Sequence, residues 1–123
     1  MDVVYISGVQ GERCWRVNYV KQTVCALIGS SVNISCMFSY PAGHQLEDAY
    51  WFSSSDERNP TKLSEEPSYK GRLEFIEKQQ NHRILTVKHL TESDSAEYKF
   101  KLHTNRDKFH GYPGVNIKVT GIL

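Results

Sequence analysis

The residues of this chain best suited to chemistry are cationic and aromatic, not nucleophilic. The polar run "HTNRDKFHG" carries Arg106, Lys108 and Phe109, and a ring between fixed positive charges suits contact with an anionic partner. Loop aromatics also fold back onto their own domain, so both readings stand at this point. Anionic lipid headgroups are one surface such a loop would meet, each nearby Lys or Arg contributing about 1 kcal/mol. The five histidines, His44, His82, His89, His103 and His110, show no paired spacing that suits a metal and read as surface positions. No Ser-His-Asp set, phosphate-cradling glycine loop or pair of catalytic carboxylates can be placed. The expectation is a binding protein with no metal and no cofactor, not an enzyme.

Three cysteines, Cys14, Cys25 and Cys36, fall in the first third of the chain without zinc or redox spacing. An odd number leaves at least one thiol unpaired within this sequence. Asn33-Ile34-Ser35 is an acceptor sequence for N-linked glycan, which agrees with passage through the secretory pathway. Asn59-Pro60-Thr61 is excluded by its proline. A length of 123 residues allows one domain with a real core. A formal charge of +1 gives no overall basic field, so nucleic acid is not an expected partner. No apolar run approaches the roughly 18 residues that span a bilayer. Residues 1–13 read as a leader remnant or tag, and residues 14–123 as the folded domain.

The elements that must position these residues are short strands. "SVNISCMF" alternates Val32, Ile34, Cys36 and Phe38 against Asn33, Ser35 and Met37, a half-buried strand. "AYWF", "GRLEFIE" and "RILTVKHL" read as further strands. "AEYKFKL" puts Ala96, Tyr98, Phe100 and Leu102 on one face and Glu97, Lys99 and Lys101 on the other. "GVNIKVT" closes with Val115, Ile117 and Val119 inward. Turn formers separate them in "SYPAGHQLED", "SSSDERNP", "EEPSYKG" and "HTNRDKFHGYPG". Many short strands at this spacing form a sandwich or barrel.

Order and spacing sharpen this to an immunoglobulin-type sandwich of the variable kind. Trp51 follows Cys36 by fifteen residues, and Tyr98 stands where its hydroxyl would bond back to the preceding turn. Arg72 and Asp94 flank the positions where such domains place a basal salt bridge. The usual inter-sheet disulfide is missing, because Phe100 occupies the second cysteine position. A cross-sheet disulfide contributes about 2–4 kcal/mol, and a buried ring packed near Trp51 offsets part of that.

These residues resemble the first domain of the sialic-acid-binding immunoglobulin-like lectins over roughly residues 14 to 120, and related fish families of diverse immunoglobulin-domain receptors are similar in sequence. The resemblance rests on Tyr98-Lys99-Phe100-Lys101, on Trp15-Arg16-Val17 and on "FSYPAG". It implies a cell-surface immune receptor whose ligand is a sialylated glycan, held on the face built by the strand of Trp51, that of Tyr98 to Leu102 and the closing strand. It implies an aromatic at the start of the last strand, best matched by Phe109 with His110 as neighbour. It also implies a carboxylate-gripping role for Lys101, where the family carries arginine. Lysine offers a point charge in place of a planar fork, and losing one charge-assisted bond costs about 1.5–3 kcal/mol. A solvated lysine is the alternative for Lys101, and a core-covering aromatic the alternative for Trp15. Counting back from Leu90, the family's partner for Cys36 falls on Arg83, so that pairing is absent. Cys25 resembles the family cysteine that bonds to a second domain, and a Cys25–Cys14 pair stays open. Lys99, Arg106 and Lys108 complete the candidate set. The implied partners are an extracellular glycan or protein, further immunoglobulin domains in the parent chain and a second copy of this one. The implied location is the extracellular face of the plasma membrane, with any anchor beyond Leu123.

Overall fold

The computed structural model describes residues 14–54 and 61–121. The expected leader remnant at 1–13 and most of the "SSSDERNP" turn lie outside the described residues. Among the described residues, nine strands form two packed sheets. The four-stranded sheet runs β1 (Arg16–Tyr19), β3 (Val32–Ser39), β6 (His82–Val87) and β5 (Leu73–Lys78). The five-stranded sheet runs β2 (Thr23–Leu27), β9 (Val115–Thr120), β7 (Ala96–Thr104) and β4 (Leu46–Ser53), with β8 (Lys108–His110) also paired to β7. The fold is all-β apart from single 3₁₀ turns, and alternation is strict in β3 and β9, where every second side chain is buried.

One pair departs from a wholly antiparallel sandwich: β2 runs parallel to β9. The chain leaves the four-stranded sheet after β1 and crosses to the other sheet, so β2 arrives running in the direction of β9. Strands β1, β2 and β8 were not legible from periodicity, being only 3 to 5 residues long. Strand β4 begins at Leu46, inside the expected turn, and a register irregularity between Leu46 and Asp48 interrupts its pattern.

Phe100 lies between the sheets at 2% exposure, its ring centroid 5.1 Å from Trp51 in an edge-on arrangement and 5.5 Å from Phe38. Aromatic pairs of this geometry add about 0.5–1.5 kcal/mol beyond burial, which brings the ring close to what a disulfide supplies. Cys36 is fully buried, and burial pushes its thiol up to about 12. It stands opposite Arg83 in the register of β3 and β6. Cys14 and Cys25 are exposed, and all three thiols are free.

A second cross-link joins the sheets beside Phe100. Tyr19, on β1, stands opposite Cys36 in register, and its hydroxyl accepts a hydrogen bond from the Phe100 backbone N–H at 2.8 Å. The same hydroxyl donates to the Gly111 carbonyl at 3.2 Å. Strand β7 pairs with β9 through Tyr98 and with β8 from Lys101, so the phenol fills the break between those two partners. The approach depends on Gly111, because a Cβ there would lie 2.7 Å from the Val17 Cβ.

The base of the sandwich is closed by polar groups. Tyr98 donates to the Asp94 carbonyl at 2.6 Å, so the 2.7 Å contact between the hydroxyls of Tyr69 and Tyr98 takes its proton from Tyr69. Arg72 holds Asp94 with two hydrogen bonds, of 2.8 and 3.0 Å. Burial pushes the Asp94 carboxyl up, but Arg72 and the Thr91 backbone N–H outweigh it and hold the carboxyl below its ordinary value.

Candidate functional site

Side-chain parity decides what the outer face of the five-stranded sheet presents. On β7, Tyr98, Phe100 and Leu102 point into the core, so Lys99, Lys101 and His103 point outward. Directly opposite residues of an antiparallel pair share a face. Phe52, Tyr50 and Asp48 on β4 therefore stand beside Lys99, Lys101 and His103 respectively. On the other flank, His110 and Lys108 of β8 stand beside Lys101 and His103.

These neighbours make contact. Tyr50 packs on His103 with centroids 5.7 Å apart, and its hydroxyl lies 3.4 Å from His103 Nε2. His110 meets Phe52 edge-on at 5.7 Å. Among the described residues, Asp48 and Glu97 on this face are both engaged. Asp48 pairs with Lys62 at 2.7 Å, and Glu97 approaches Lys99 at 3.7 Å while accepting the Gly114 backbone N–H at 2.7 Å. Lys101 and Lys108 form no ion pair among the described residues. Burial lowers the pKa of the half-buried Lys101 ammonium, and the positive charge of Lys108 lowers it further. Burial likewise lowers His103, with Lys101 and Lys108 adding to the effect, and His110, with Lys99 and Lys101 adding.

The structure separates the residues that the sequence singled out. Lys101 and Lys108 share the outer face. Lys99 is on that face but only 8% exposed, its ammonium 5.1 Å from the Tyr112 ring and its stem covered by Gly114, so it serves the β8–β9 connection. Arg106 is exposed at the tip of the β7–β8 hairpin.

Phe109 requires a correction. It lies in a strand, not a loop, and stands opposite the inward Leu102, so it faces the core side and not Lys101. Trp15 stacks on it with centroids 5.5 Å apart, His44 meets Trp15 edge-on at 5.4 Å, and both Trp15 and Phe109 pack against the core. The pair caps one end of the sandwich. His110, the neighbouring alternative, is the β8 residue beside Lys101. Sequence reasoning missed Tyr50 and His103, although the parity of β7 and the inward Trp51 together pointed to both. A cleft of about 210 Å³ opens at the edge of this face, between β4 and β5, with Asp48 and Tyr50 on one side and Phe75, Ile76 and Arg83 on the other.

Two solved structures, both of a marsupial T cell receptor, superpose on this chain with TM-scores of 0.69 and 0.70. Each is 20% identical, and the matches cover 87% and 88% of this chain. The fold is that of an immunoglobulin variable-type domain. The chain spans about half of those receptor chains, 52% in each case. No protein-family model matches. The likeness establishes the variable-type sandwich and does not single out the sialic-acid-binding branch. Among the described residues, no helix is long and apolar enough to cross a membrane.

Proposed function

We propose that this domain is the ligand-binding ectodomain of a cell-surface immune receptor, and that it takes an anionic extracellular ligand on the outer face of the five-stranded sheet. The observation that carries this reading is Lys101, half-buried, without an ion pair among the described residues, and set beside Lys108 on a face whose Asp48 and Glu97 carboxylates are engaged. An incoming carboxylate would relieve the repulsion between the two ammonium groups and gain a charge-assisted hydrogen bond. A sialylated glycan, the ligand implied by the sequence resemblance, carries such a carboxylate, and Tyr50 and His110 are the rings it would meet. The parent chain would place the domain on the extracellular side of the plasma membrane, followed by further immunoglobulin domains.

A second reading, a protein partner or a second copy of this domain, is favoured by Tyr112, which is 77% exposed at the end of the same face. Such an interface would bury more than about 1,000 Å². Glycan and lipid arrays probed with the wild-type domain and Lys101→Ala test the proposal. Capture of sialylated glycans by the wild type alone supports it. Binding that Lys101→Ala leaves intact contradicts it. Salt-sensitive capture by anionic vesicles only assigns the anion to lipid, and concentration-dependent sedimentation without glycan binding selects the protein partner.

A further inference from the structure

The second sheet carries its own feature, unrelated to Lys101. Asn33 sits within β3 on the outer face of the four-stranded sheet, with Ser35 and Met37 on the same side. It is exposed, and Thr86 across the ladder donates its hydroxyl proton to Asn33 Oδ1 at 2.6 Å. That bond fixes the carboxamide plane and leaves Nδ2 without a described partner. No other asparagine has an acceptor sequence: Asn59 precedes proline, and Asn18, Asn81, Asn105 and Asn116 lack a hydroxyl residue two positions on.

The neighbouring row of the same face is apolar. Ser35 stands opposite Ile84, and Ile84 opposite Ile76. Ile76 is 41% exposed and Ile84 half-buried, while Met37, 43% exposed, lies one row beyond. Alternate residues of a strand are about 7 Å apart, so the first sugars attached to Asn33 would lie over the Ile84–Ile76 row.

We propose that Asn33 carries an N-linked glycan and that this glycan closes the outer face of the four-stranded sheet, leaving the opposite sheet as the recognition face. In the transfer, Asn33 Nδ2 forms a bond to the anomeric carbon of a lipid-pyrophosphate-linked oligosaccharide. The glycosyl–phosphate bond breaks, the lipid pyrophosphate leaves with the electron pair, and the nitrogen loses one proton to a base. The modified side chain keeps Oδ1 free to accept from Thr86.

The test is to secrete the domain from animal cells and weigh it intact. One glycan increment is expected, released by an amidase that converts Asn33 to aspartate, absent from Asn33→Gln and Ser35→Ala, and retained in Ser35→Thr. Ser35→Ala leaves the Asn33–Thr86 bond in place, so its result stands even if Asn33→Gln fails to fold. Secreted wild type at the bare polypeptide mass would overturn the proposal, as would an increment that survives in Asn33→Gln. Hydroxyl-radical footprinting before and after deglycosylation reads the covering. Increased labelling of Ile76, Ile84 and Met37 on glycan removal is expected, and unchanged labelling there would refute the closure of this face.

Discussion

Tyr19 joins the two sheets through one oxygen, and its neighbours explain why a disulfide is dispensable here. Phe100 and Trp51 supply apolar burial at the place of the missing link, while Tyr19 satisfies the Phe100 N–H and the Gly111 carbonyl in the break between β8 and β9. Replacing Tyr19 by Phe keeps the ring and strands both groups. We expect a loss of about 1–3 kcal/mol in urea unfolding, more than a surface Tyr→Phe change would cause. Phe100 was legible in the sequence because it interrupts a dense local pattern. Tyr19 was not, since nothing near it in the chain marks a partner 81 residues away. Arg72 and Asp94 form the other residue-scale linkage, with side chains only 17% and 3% exposed. Arg72→Ala leaves a buried carboxylate without its cation and should cost about 3–5 kcal/mol. The acid limb of stability follows from the same pair. The Asp94 carboxyl is held below its ordinary value, so its contribution is complete above the unfolded-state pKa and is lost as pH falls through the depressed folded value. Acid unfolding of the wild type should therefore carry a component that Arg72→Ala lacks.

At the scale of elements, the β7–β8 hairpin sets the chemistry of the candidate face. Parity along β7 was readable, because Tyr98, Phe100 and Leu102 announce the buried side and leave Lys101 outward. The register of β8 was not readable. It is fixed by the tight tip at Asn105–Asp107, where the Thr104 N–H bonds the Asp107 carbonyl at 2.8 Å. A shift of one residue exchanges Phe109 for His110 beside Lys101, and three residues are too few to show a period. The hairpin thus brings two histidines and two lysines onto one surface. His103 is faced by Lys101, Lys108, Lys62 and Asp48, and His110 by Lys99, Lys101 and Glu97. Burial and these cations lower both imidazoles, so each gains its proton at a lower pH than an ordinary histidine. An anion on this face should bind more tightly on acidification, and His103→Gln with His110→Gln should flatten that dependence. Without ligand the sign reverses: the unfolded chain takes up these protons first, so stability falls over the same window.

For the molecule as a whole, the two sheets differ in what they offer a partner. The four-stranded sheet presents Ile76, exposed, and Ile84, half-buried, beside the acceptor sequence at Asn33. The five-stranded sheet presents Lys101 and Lys108 without counter-ions among the described residues, between rings of β4 and β8. The sandwich was legible because burial alternates strictly in β3 and β9, and because apolar and charged residues alternate along β7 from Tyr98 to Leu102. The assembly of the face was not, because it depends on pairings between strands distant in sequence. Amide chemical-shift mapping tests the central claim most directly, with a sialylated trisaccharide titrated into the labelled domain and into Lys101→Arg, whose planar fork restores two parallel hydrogen bonds to a carboxylate. The account predicts shifts confined to β7 from Lys99 to His103, to β8 and to Tyr50, saturating at lower concentration in Lys101→Arg and absent with the desialylated sugar. Shifts centred on Phe75, Glu77 and Arg83, on the β5 side of the β4–β5 cleft, or on the outer side of the four-stranded sheet would contradict it, as would no response in either protein.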